Sequence, residues 1–130
     1  MRLFTPAEAN DLLVEVRPLA ERVVERKRAL DAAEAERSRL LRRIAGNGGD
    51  LTPSDVTEAV QRVEREAAAL GVLVDELQGR GVQVKDLDLG LLDFPSEREG
   101  EVVLLCWRVG EEEIAYWHGL DEGYAGRKPL

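Results

Sequence analysis

The fold is decided by ten residues in the first half of the chain, which read Gly46-Asn47-Gly48-Gly49-Asp50-Leu51-Thr52-Pro53-Ser54-Asp55. Glycine and asparagine favour left-handed and turn conformations, so the first half of this segment predicts the end of a helix. Thr52 followed by Pro53 is typical of a helix start, a capping side chain with proline in the first turn. Thr5 and Glu8 form a similar start near the N-terminus. The segment therefore predicts a loop between two helices.

Apolar positions recur at alternating steps of four and three on both sides of this loop. In the first predicted helix, residues 5–45, the stripe consists of Leu12, Val16, Leu19, Val23, Arg26, Leu30, Ala33, Arg37, Leu40 and Ile44. In the second, residues 53–79, it consists of Val56, Val60, Val63, Ala67, Leu70, Val74 and Leu77. Two heptad stripes joined by the Gly-rich loop 46–52 predict a long, antiparallel, coiled-coil-like hairpin. Pro18 predicts a kink in the first helix, because proline removes a backbone hydrogen bond.

After residue 79 the pattern changes to short apolar runs. They occupy residues 82–84, 89–94, 102–107 and 114–117, and residues 95–100 between them are turn-like. We expect a small antiparallel β-meander of three strands over residues 89–118, followed by an ordered C-terminal loop. In the last strand, alternation places His118 on the same side as Tyr116. The predicted fold is a single α+β domain, residues 1–130, in which the hairpin precedes a strand-rich module, residues 82–130.

Charge and composition exclude several classes of function. The formal net charge is -8, and residues 82–130 hold five basic against eleven acidic side chains. Nucleic-acid binding needs clustered lysine and arginine, so no nucleic-acid partner is expected. No apolar run approaches the length of a membrane span, and the N-terminus lacks a signal-peptide pattern. Cys106 is the single cysteine, which excludes an internal disulfide and fits a reducing compartment, so we expect a cytoplasmic protein with no membrane partner.

Acidic residues in the strand-rich module suggest a metal site. Asp86 and Asp88 fall on the same side of an extended segment, about 6.5 to 7 Å apart, a spacing that can flank a divalent cation. The candidate metal ligands are Asp86, Asp88, Asp93, His118 and Asp121. Their hard oxygen atoms favour magnesium, calcium or manganese as a cofactor. The competing interpretation is structural, because acids after a strand commonly cap turns.

A second set of residues in the same module suggests a small-molecule site. The candidate ligand-binding residues are Lys85, Trp107, Trp117, His118 and Arg127. Both tryptophans and the histidine are more typical of packing positions than of a ligand site, and Cys106 is typical of a small buried apolar residue. The chain carries no recognisable catalytic motif, so no catalytic residue is assigned. This favours a protein without enzymatic activity and leaves an enzyme as an open alternative.

Several C-terminal motifs carry a resemblance to a known family. They are Val84-Lys85-Asp86-Leu87-Asp88, Gly90-Leu91-Leu92-Asp93-Phe94-Pro95, Cys106-Trp107-Arg108, Gly110-Glu111, Tyr116-Trp117-His118 and Asp121-Glu122-Gly123-Tyr124-Ala125-Gly126-Arg127. With these and the opening Phe4-Thr5-Pro6-Ala7-Glu8-Ala9-Asn10, the chain resembles the bacterial family called domain of unknown function 2203. The resemblance implies a bacterial cytoplasmic protein. That family has no assigned activity, so it supplies no catalytic residue.

Two functions from different classes remain open. The first predicted helix, about 60 Å long, overhangs the second, about 40 Å long, which leaves apolar surface that another copy of the chain could cover. This favours a helical-hairpin protein that self-associates, with a dimer expected first. The alternative is a binding protein or an enzyme that takes a small ligand or a divalent cation at a site in the acidic module. An ordered ion or ligand among the C-terminal acids would decide for the alternative.

Overall fold

The computed structural model describes residues 1–47 and 51–130, and it contains two long helices followed by an antiparallel sheet. The helices are α1 (Pro6–Asn47) and α2 (Pro53–Gly79). The strands are β1 (Gln83–Asp86), β2 (Leu91–Arg98), β3 (Glu101–Arg108), β4 (Tyr116–His118) and β5 (Lys128–Pro129), with a short 3-10 turn at Tyr124–Gly126 before β5. The predicted α+β architecture, a helical hairpin followed by a meander, is confirmed. Residues 48–50 of the predicted loop lie outside the described residues.

Both helices begin with the reciprocal hydrogen bonds of a capping box. The Glu8 amide donates to Thr5 Oγ1 at 3.1 Å, and the Thr5 amide donates to Glu8 Oε1 at 2.9 Å. Thr52 and Asp55 repeat this arrangement at the start of α2. These bonds satisfy amides that have no partner within the helix, so the local sequence fixes both starts. Pro18 lies inside α1, which continues through it as one helix.

The chain divides into two compact units. Residues 25–72 form the helical unit, and residues 1–24 together with residues 73–130 form the sheet unit. Among the described residues of the helical unit the buried side chains are Ala33, Leu40, Ala59, Val63 and Leu70, which belong to the apolar faces of the two helices. Arg26, a charged position in the predicted stripe, forms an ion pair of 3.4 Å with Glu66 of the other helix. Neither described helix combines the length and apolar character needed to cross a membrane.

The sheet unit is built around five strands in the order β1-β2-β3-β4-β5, each antiparallel to its neighbours. One face of the sheet packs on the N-terminal part of α1, where Arg17 lies over the Trp107 ring and Asn10 accepts a hydrogen bond from the Ile114 amide. Its largest fully buried side chains include Phe4, Val16, Leu77, Phe94 and Trp107. The Phe4 and Phe94 rings meet edge to face at 5.6 Å, and the Arg17 guanidinium lies 5.4 Å from the Trp107 ring. This packing buries one face of the sheet. The opposite face carries a different set of side chains, which includes Asp93, Cys106 and His118.

The sheet is larger than the three strands expected. Residues 83–86 pair with β2 as its edge neighbour, and Lys128 and Pro129 in the expected C-terminal loop pair with β4. The prediction of a turn at residues 95–100 is wrong, because residues 95–98 continue β2 and the reversal is confined to Glu99 and Gly100. Pro95 is tolerated in the strand because β1 does not extend alongside it. Its carbonyl instead accepts a hydrogen bond of 2.7 Å from the Phe4 amide.

Candidate functional site

The register of three neighbouring strands places polar residues together on the sheet face that is turned away from the helices. Asp93 of β2 pairs with Cys106 of β3, and Cys106 pairs with Tyr116 of β4. His118 of β4 pairs with Leu104, two residues from Cys106 along β3. Side chains two residues apart in a strand share a face, so Asp93, Cys106 and His118 become neighbours. His118 thus shares the Tyr116 side of the strand, as alternation predicted.

Asp93 and His118 form a hydrogen-bonded pair that is almost completely buried. The imidazole Nε2 lies 3.0 Å from Asp93 Oδ1 and 3.1 Å from Oδ2, and Nδ1 lies 2.8 Å from the carbonyl oxygen of Gly119. A carbonyl only accepts hydrogen bonds, so Nδ1 carries a proton. A second proton must lie between Nε2 and the carboxyl group, because two lone pairs would otherwise face each other. Both ring nitrogens are therefore engaged, which leaves neither free to act as a general base in this arrangement.

Cys106 is a buried, protonated thiol. Burial and, after it, the negative charge of Asp93 raise the pKa of the Cys106 thiol to about 11. The Arg127 guanidinium, whose Nη1 lies 4.0 Å from Cys106 Sγ, opposes this effect only in part. Nucleophilic cysteines have a lowered pKa and access to solvent. Cys106 therefore lacks the properties of a catalytic nucleophile.

A cavity of about 240 Å³ lies against the Asp93–His118 pair. Its lining comprises Lys85, Leu91, Asp93, Leu104, His118, Leu120, Glu122, Gly123 and Tyr124. Glu122 forms an ion pair of 2.9 Å with Lys128, which balances its charge. Lys85 forms no ion pair with any residue that the structure describes. Within the Asp93–His118 pair and the Glu122–Lys128 pair the charges cancel. The charge that remains in the lining is therefore the positive charge of the Lys85 ammonium group.

Arg127 is held next to this site by strong interactions of its own. Its guanidinium donates to both carboxylate oxygens of Glu111, at 3.0 and 2.7 Å, and lies 4.1 Å from the Tyr116 ring centre and 4.3 Å from that of Tyr124. The hydrogen bonds to Glu111, followed by the negative charge of that carboxylate, raise the pKa of Arg127 further above its ordinary value. Burial alone would raise the pKa of Glu111, but hydrogen bonds from Arg127 and from the Arg108 amide outweigh burial and lower it. Arg127 is thus a structural clamp that fastens the C-terminal segment to the sheet.

The structure separates the predicted metal ligands. Asp86 Oδ1 accepts hydrogen bonds of 2.9 Å from the amides of Asp88 and Leu89, so Asp86 caps the turn after β1. Asp88 and Asp121 are exposed. Among the described residues, the group of side chains close enough to share a metal ion consists of Asp93, His118 and Cys106. Two of the five predicted ligands are therefore brought together, and the third member of the group is a residue that the sequence did not suggest.

The predicted ligand-binding residues also divide into two groups. Lys85 and His118 line the cavity. Trp107 belongs to the core on the opposite face, where its Nε1 donates to the carbonyl of Glu111 at 3.0 Å. Trp117 has the Arg98 guanidinium and the Lys128 ammonium 4.7 and 4.6 Å from its ring. Both tryptophans therefore contact other side chains and backbone of the sheet unit, and neither lines the cavity.

Cys106 and Tyr124 belong to this region of the sheet but are not among the site residues predicted from the sequence. The sequence does contain a signal for Cys106, which is the possible two-residue turn at Glu99 and Gly100. If strands pair on either side of that turn, residue 98 lies opposite residue 101, and residue 93 then lies opposite residue 106. Tyr124 had no local signal. Its hydroxyl lies 3.3 Å from nitrogen atoms of Arg108 and Arg127, and this arrangement depends on the path of the C-terminal segment.

The fold and the site define an α+β protein in which a helical hairpin precedes a five-stranded sheet with a buried acid, histidine and cysteine on one face. A family model described as "Uncharacterized conserved protein (DUF2203)" matches residues 2–130. The chain belongs to the DUF2203 family, and the resemblance found in its motifs is confirmed. Neither a curated protein nor a solved structure matches the sequence.

Proposed function

We propose that the sheet unit binds a small organic anion in the cavity beside Asp93 and His118. The observation that carries the proposal is the composition of the lining, in which Lys85 supplies an unbalanced positive charge and three leucines supply apolar surface. An anionic group would pair with Lys85, and a short hydrocarbon part would contact Leu91, Leu104 and Leu120. Pockets of this kind, apolar with a few fixed polar groups, are typical ligand sites.

The size of the cavity limits the ligand. A volume of about 240 Å³ corresponds to roughly eight water molecules at about 30 Å³ each. This is below the range of about 300 to 1,000 Å³ that drug-sized ligands occupy. A short-chain carboxylate or a small phosphate ester fits this space, whereas a nucleotide is too large. Binding rather than catalysis is proposed, because both nitrogens of His118 are engaged and Cys106 is protonated.

The proposal is tested with 3-methylbutanoate and inorganic phosphate as probes, titrated into the full chain and followed by NMR chemical shifts and thermal melts. We expect saturable binding of the carboxylate that Lys85→Gln weakens a few-fold to tenfold, as loss of about 1 kcal/mol of charge interaction implies. Leu120→Glu, a change at an exposed lining position, should weaken it further through charge repulsion. Lys27→Gln in the helical unit changes the net charge equally and is the matched control.

Two results would contradict the proposal. The first is that neither probe shifts any resonance of the sheet unit. The second is that Lys85→Gln and Lys27→Gln bind the carboxylate equally well. Saturable binding of phosphate without binding of the carboxylate would support Lys85 as the anion contact and would show that the leucines do not contact the ligand.

A second candidate function is self-association of two copies through the helical unit. Leu41 and Ile44, three residues apart on α1, expose 48% and 43% of their surface, and Val72 of α2 exposes 58%. Side chains at this spacing share a helix face, and burial against a second copy would remove this apolar surface from water. We therefore propose a homodimer, in a cytoplasmic location consistent with the single buried cysteine.

Sedimentation equilibrium at micromolar concentration tests the dimer. Leu41→Glu combined with Ile44→Glu should shift the mass towards that of one chain, because charges would be placed in the apolar contact. Ala35→Glu, at another exposed position of α1, is the control and should leave the mass unchanged. A wild-type protein that sediments as a monomer would exclude this candidate.

A further inference from the structure

The buried polar cluster on the sheet combines three different kinds of metal ligand. Asp93, Cys106 and His118 each direct one ligand atom towards the others, and these atoms all lie within 4.8 Å of one another. The residues come from three adjacent strands, so the sheet holds their backbones in fixed register. We propose that Asp93, Cys106 and His118 bind one divalent transition-metal ion of the zinc class.

The orientation of the imidazole supports this assignment. Histidine ligands of metals commonly donate their other ring N–H to a backbone carbonyl or a carboxylate, which fixes the ring. His118 Nδ1 makes such a bond of 2.8 Å with the Gly119 carbonyl, and Nε2 is directed at Asp93. Nε2 is therefore the ligand atom that the fold presents to the cluster.

The distances require only small adjustments. Zinc binds nitrogen and oxygen at about 2.0 to 2.2 Å and sulfur at about 2.3 Å, so ligand atoms of a tetrahedral site lie about 3.3 to 3.6 Å apart. Nε2 and Oδ1 are 3.0 Å apart, and the sulfur lies within 4.8 Å of both partners. Opening the first distance by a few tenths of an ångström and rotating the Cys106 side chain bring all three atoms to one ion.

The charges of the cluster select the type of metal. Metal binding would release two protons to solvent, one from the Cys106 thiol and one from between His118 Nε2 and the Asp93 carboxyl group. The resulting carboxylate, thiolate and neutral imidazole together carry two negative charges, which a divalent ion cancels, so no net charge remains in the buried site. The nearby Arg127 is already balanced by Glu111. Thiolate and imidazole ligands favour zinc and related ions over magnesium and calcium, which prefer oxygen. The hard cations expected from Asp86 and Asp88 are therefore not the class proposed for this cluster.

A metal ion in this cluster would add a second contact for the anion proposed above. Three protein ligands leave a fourth position, the arrangement of zinc sites that also bind water or a substrate. Asp93 and His118 line the cavity, so this position would open towards it. This part of the inference rests on the proposed anion site, because a bound anion would then contact both Lys85 and the metal ion.

The test uses the full chain stripped of metal with a chelator and then titrated with Co²⁺ as a spectroscopic substitute for Zn²⁺. Binding by Cys106 should produce a sulfur-to-cobalt charge-transfer band that saturates at one ion per chain and disappears on addition of Zn²⁺. Cys106→Ser should abolish the band and lower the affinity at least tenfold. The control, Asp86→Asn with Asp88→Asn, should leave both the band and the affinity unchanged.

Substitutions of buried residues can unfold the protein, so a second readout uses the wild type alone. The chain has one histidine, so its imidazole nitrogen resonances are unambiguous, and Zn²⁺ should move the Nε2 resonance of His118 while Nδ1 remains protonated. A folded wild type that shows neither the cobalt band nor this shift would overturn the inference. Loss of metal binding in the Asp86 and Asp88 control would overturn it as well.

The metal site and the anion site can fail separately. If no metal binds but 3-methylbutanoate still binds the metal-free protein, the metal site is excluded and the proposed anion site is supported. If metal binds but Lys85→Gln does not change the affinity for 3-methylbutanoate, only the proposed anion site is excluded.

Discussion

Glu111 illustrates how single side chains hold the C-terminal segment on the sheet. Its carboxylate accepts two hydrogen bonds from Arg127 and one of 2.8 Å from the Arg108 amide. Both side chains of the Glu111–Arg127 pair are largely shielded from solvent. Breaking such a pair by removing one partner leaves a shielded charge without compensation. Removing one partner of the clamp should therefore destabilise the protein more than breaking an exposed ion pair does.

We predict that Glu111→Gln lowers the free energy of unfolding by about 1 to 3 kcal/mol near neutral pH. The folded state lowers the pKa of Glu111 below its ordinary value of 4.5, so this stabilisation is complete above the unfolded pKa. It is lost as the pH falls through the folded pKa. Urea unfolding at about pH 7, pH 5 and pH 3 should therefore show a difference from wild type that shrinks at the lowest pH. Glu113→Gln, at an exposed neighbour, should differ little from wild type, and an equal loss in both variants would contradict the clamp.

We also predict that the Cys106 thiol resists alkylation in the folded protein. At about pH 8, a thiol with a pKa of about 11 is roughly 0.1% ionised, against about a quarter for a free cysteine of pKa about 8.5. Labelling by iodoacetamide, with a chelator present to exclude protection by metal, should be at least roughly 100-fold slower than in urea. Equal rates in the two conditions would show that the thiol is accessible.

At the scale of elements, the connections around β2 decide which side chains meet. Gly90 precedes β2 with a φ of +63°, and Gly100 follows it in the two-residue reversal with a φ of +82°. A Cβ at position 90 would collide with the Val109 side chain and lie 2.9 Å from Val24 Cγ2, whereas at position 100 it would meet nothing within 4 Å. The two glycines share a left-handed backbone but differ in available space, so they form a matched pair.

We predict that Gly90→Ala destabilises the protein by about 2 to 5 kcal/mol, because backbone strain and overpacking combine. Gly100→Ala should cost only about 1 to 2 kcal/mol, since strain acts alone. Urea unfolding of both variants measures the difference. If Gly100→Ala were as destabilising as Gly90→Ala, the close packing of β2 against Val24 and Val109 would not be the cause.

At the scale of the whole molecule, charge is divided between the two units. The helical unit holds nine basic and nine acidic side chains, and the sheet unit holds nine basic and seventeen acidic ones. The entire net charge of -8 therefore belongs to the unit that also contains the cavity and the Asp93–His118 pair. The sheet unit has its own buried core, which includes Phe94 and Trp107.

This division predicts that the sheet unit folds without the helical unit. Replacing residues 25–72 by a short Gly-Ser loop should leave a cooperatively folded protein in which the His118 imidazole resonances match those of the full chain. Circular dichroism and NMR spectra provide the measurement. A chain without a cooperative transition would show that the sheet unit depends on the helical unit for its stability.

The sequence by itself determined the elements of this fold. The helices were predicted at residues 5–45 and 53–79 and are found at Pro6–Asn47 and Pro53–Gly79. Heptad spacing, the Thr5 and Thr52 caps and the glycines between the helices are local signals, so they can be read from the chain directly. Alternation also placed His118 on the Tyr116 side of its strand, because the direction of side chains in a strand has a period of two.

Only the tertiary structure decided which residues form the site. Asp86 and Asp88 satisfy the local spacing for a cation, but the turn after β1 uses Asp86 as a cap for its own amides. Asp93, Cys106 and His118 lie far apart in sequence and meet through strand register, which a reversal at Glu99 and Gly100 sets. A shift of one residue would turn each side chain to the other face of the sheet. The site therefore depends on pairings between distant strands, and no local pattern in the sequence specifies those pairings.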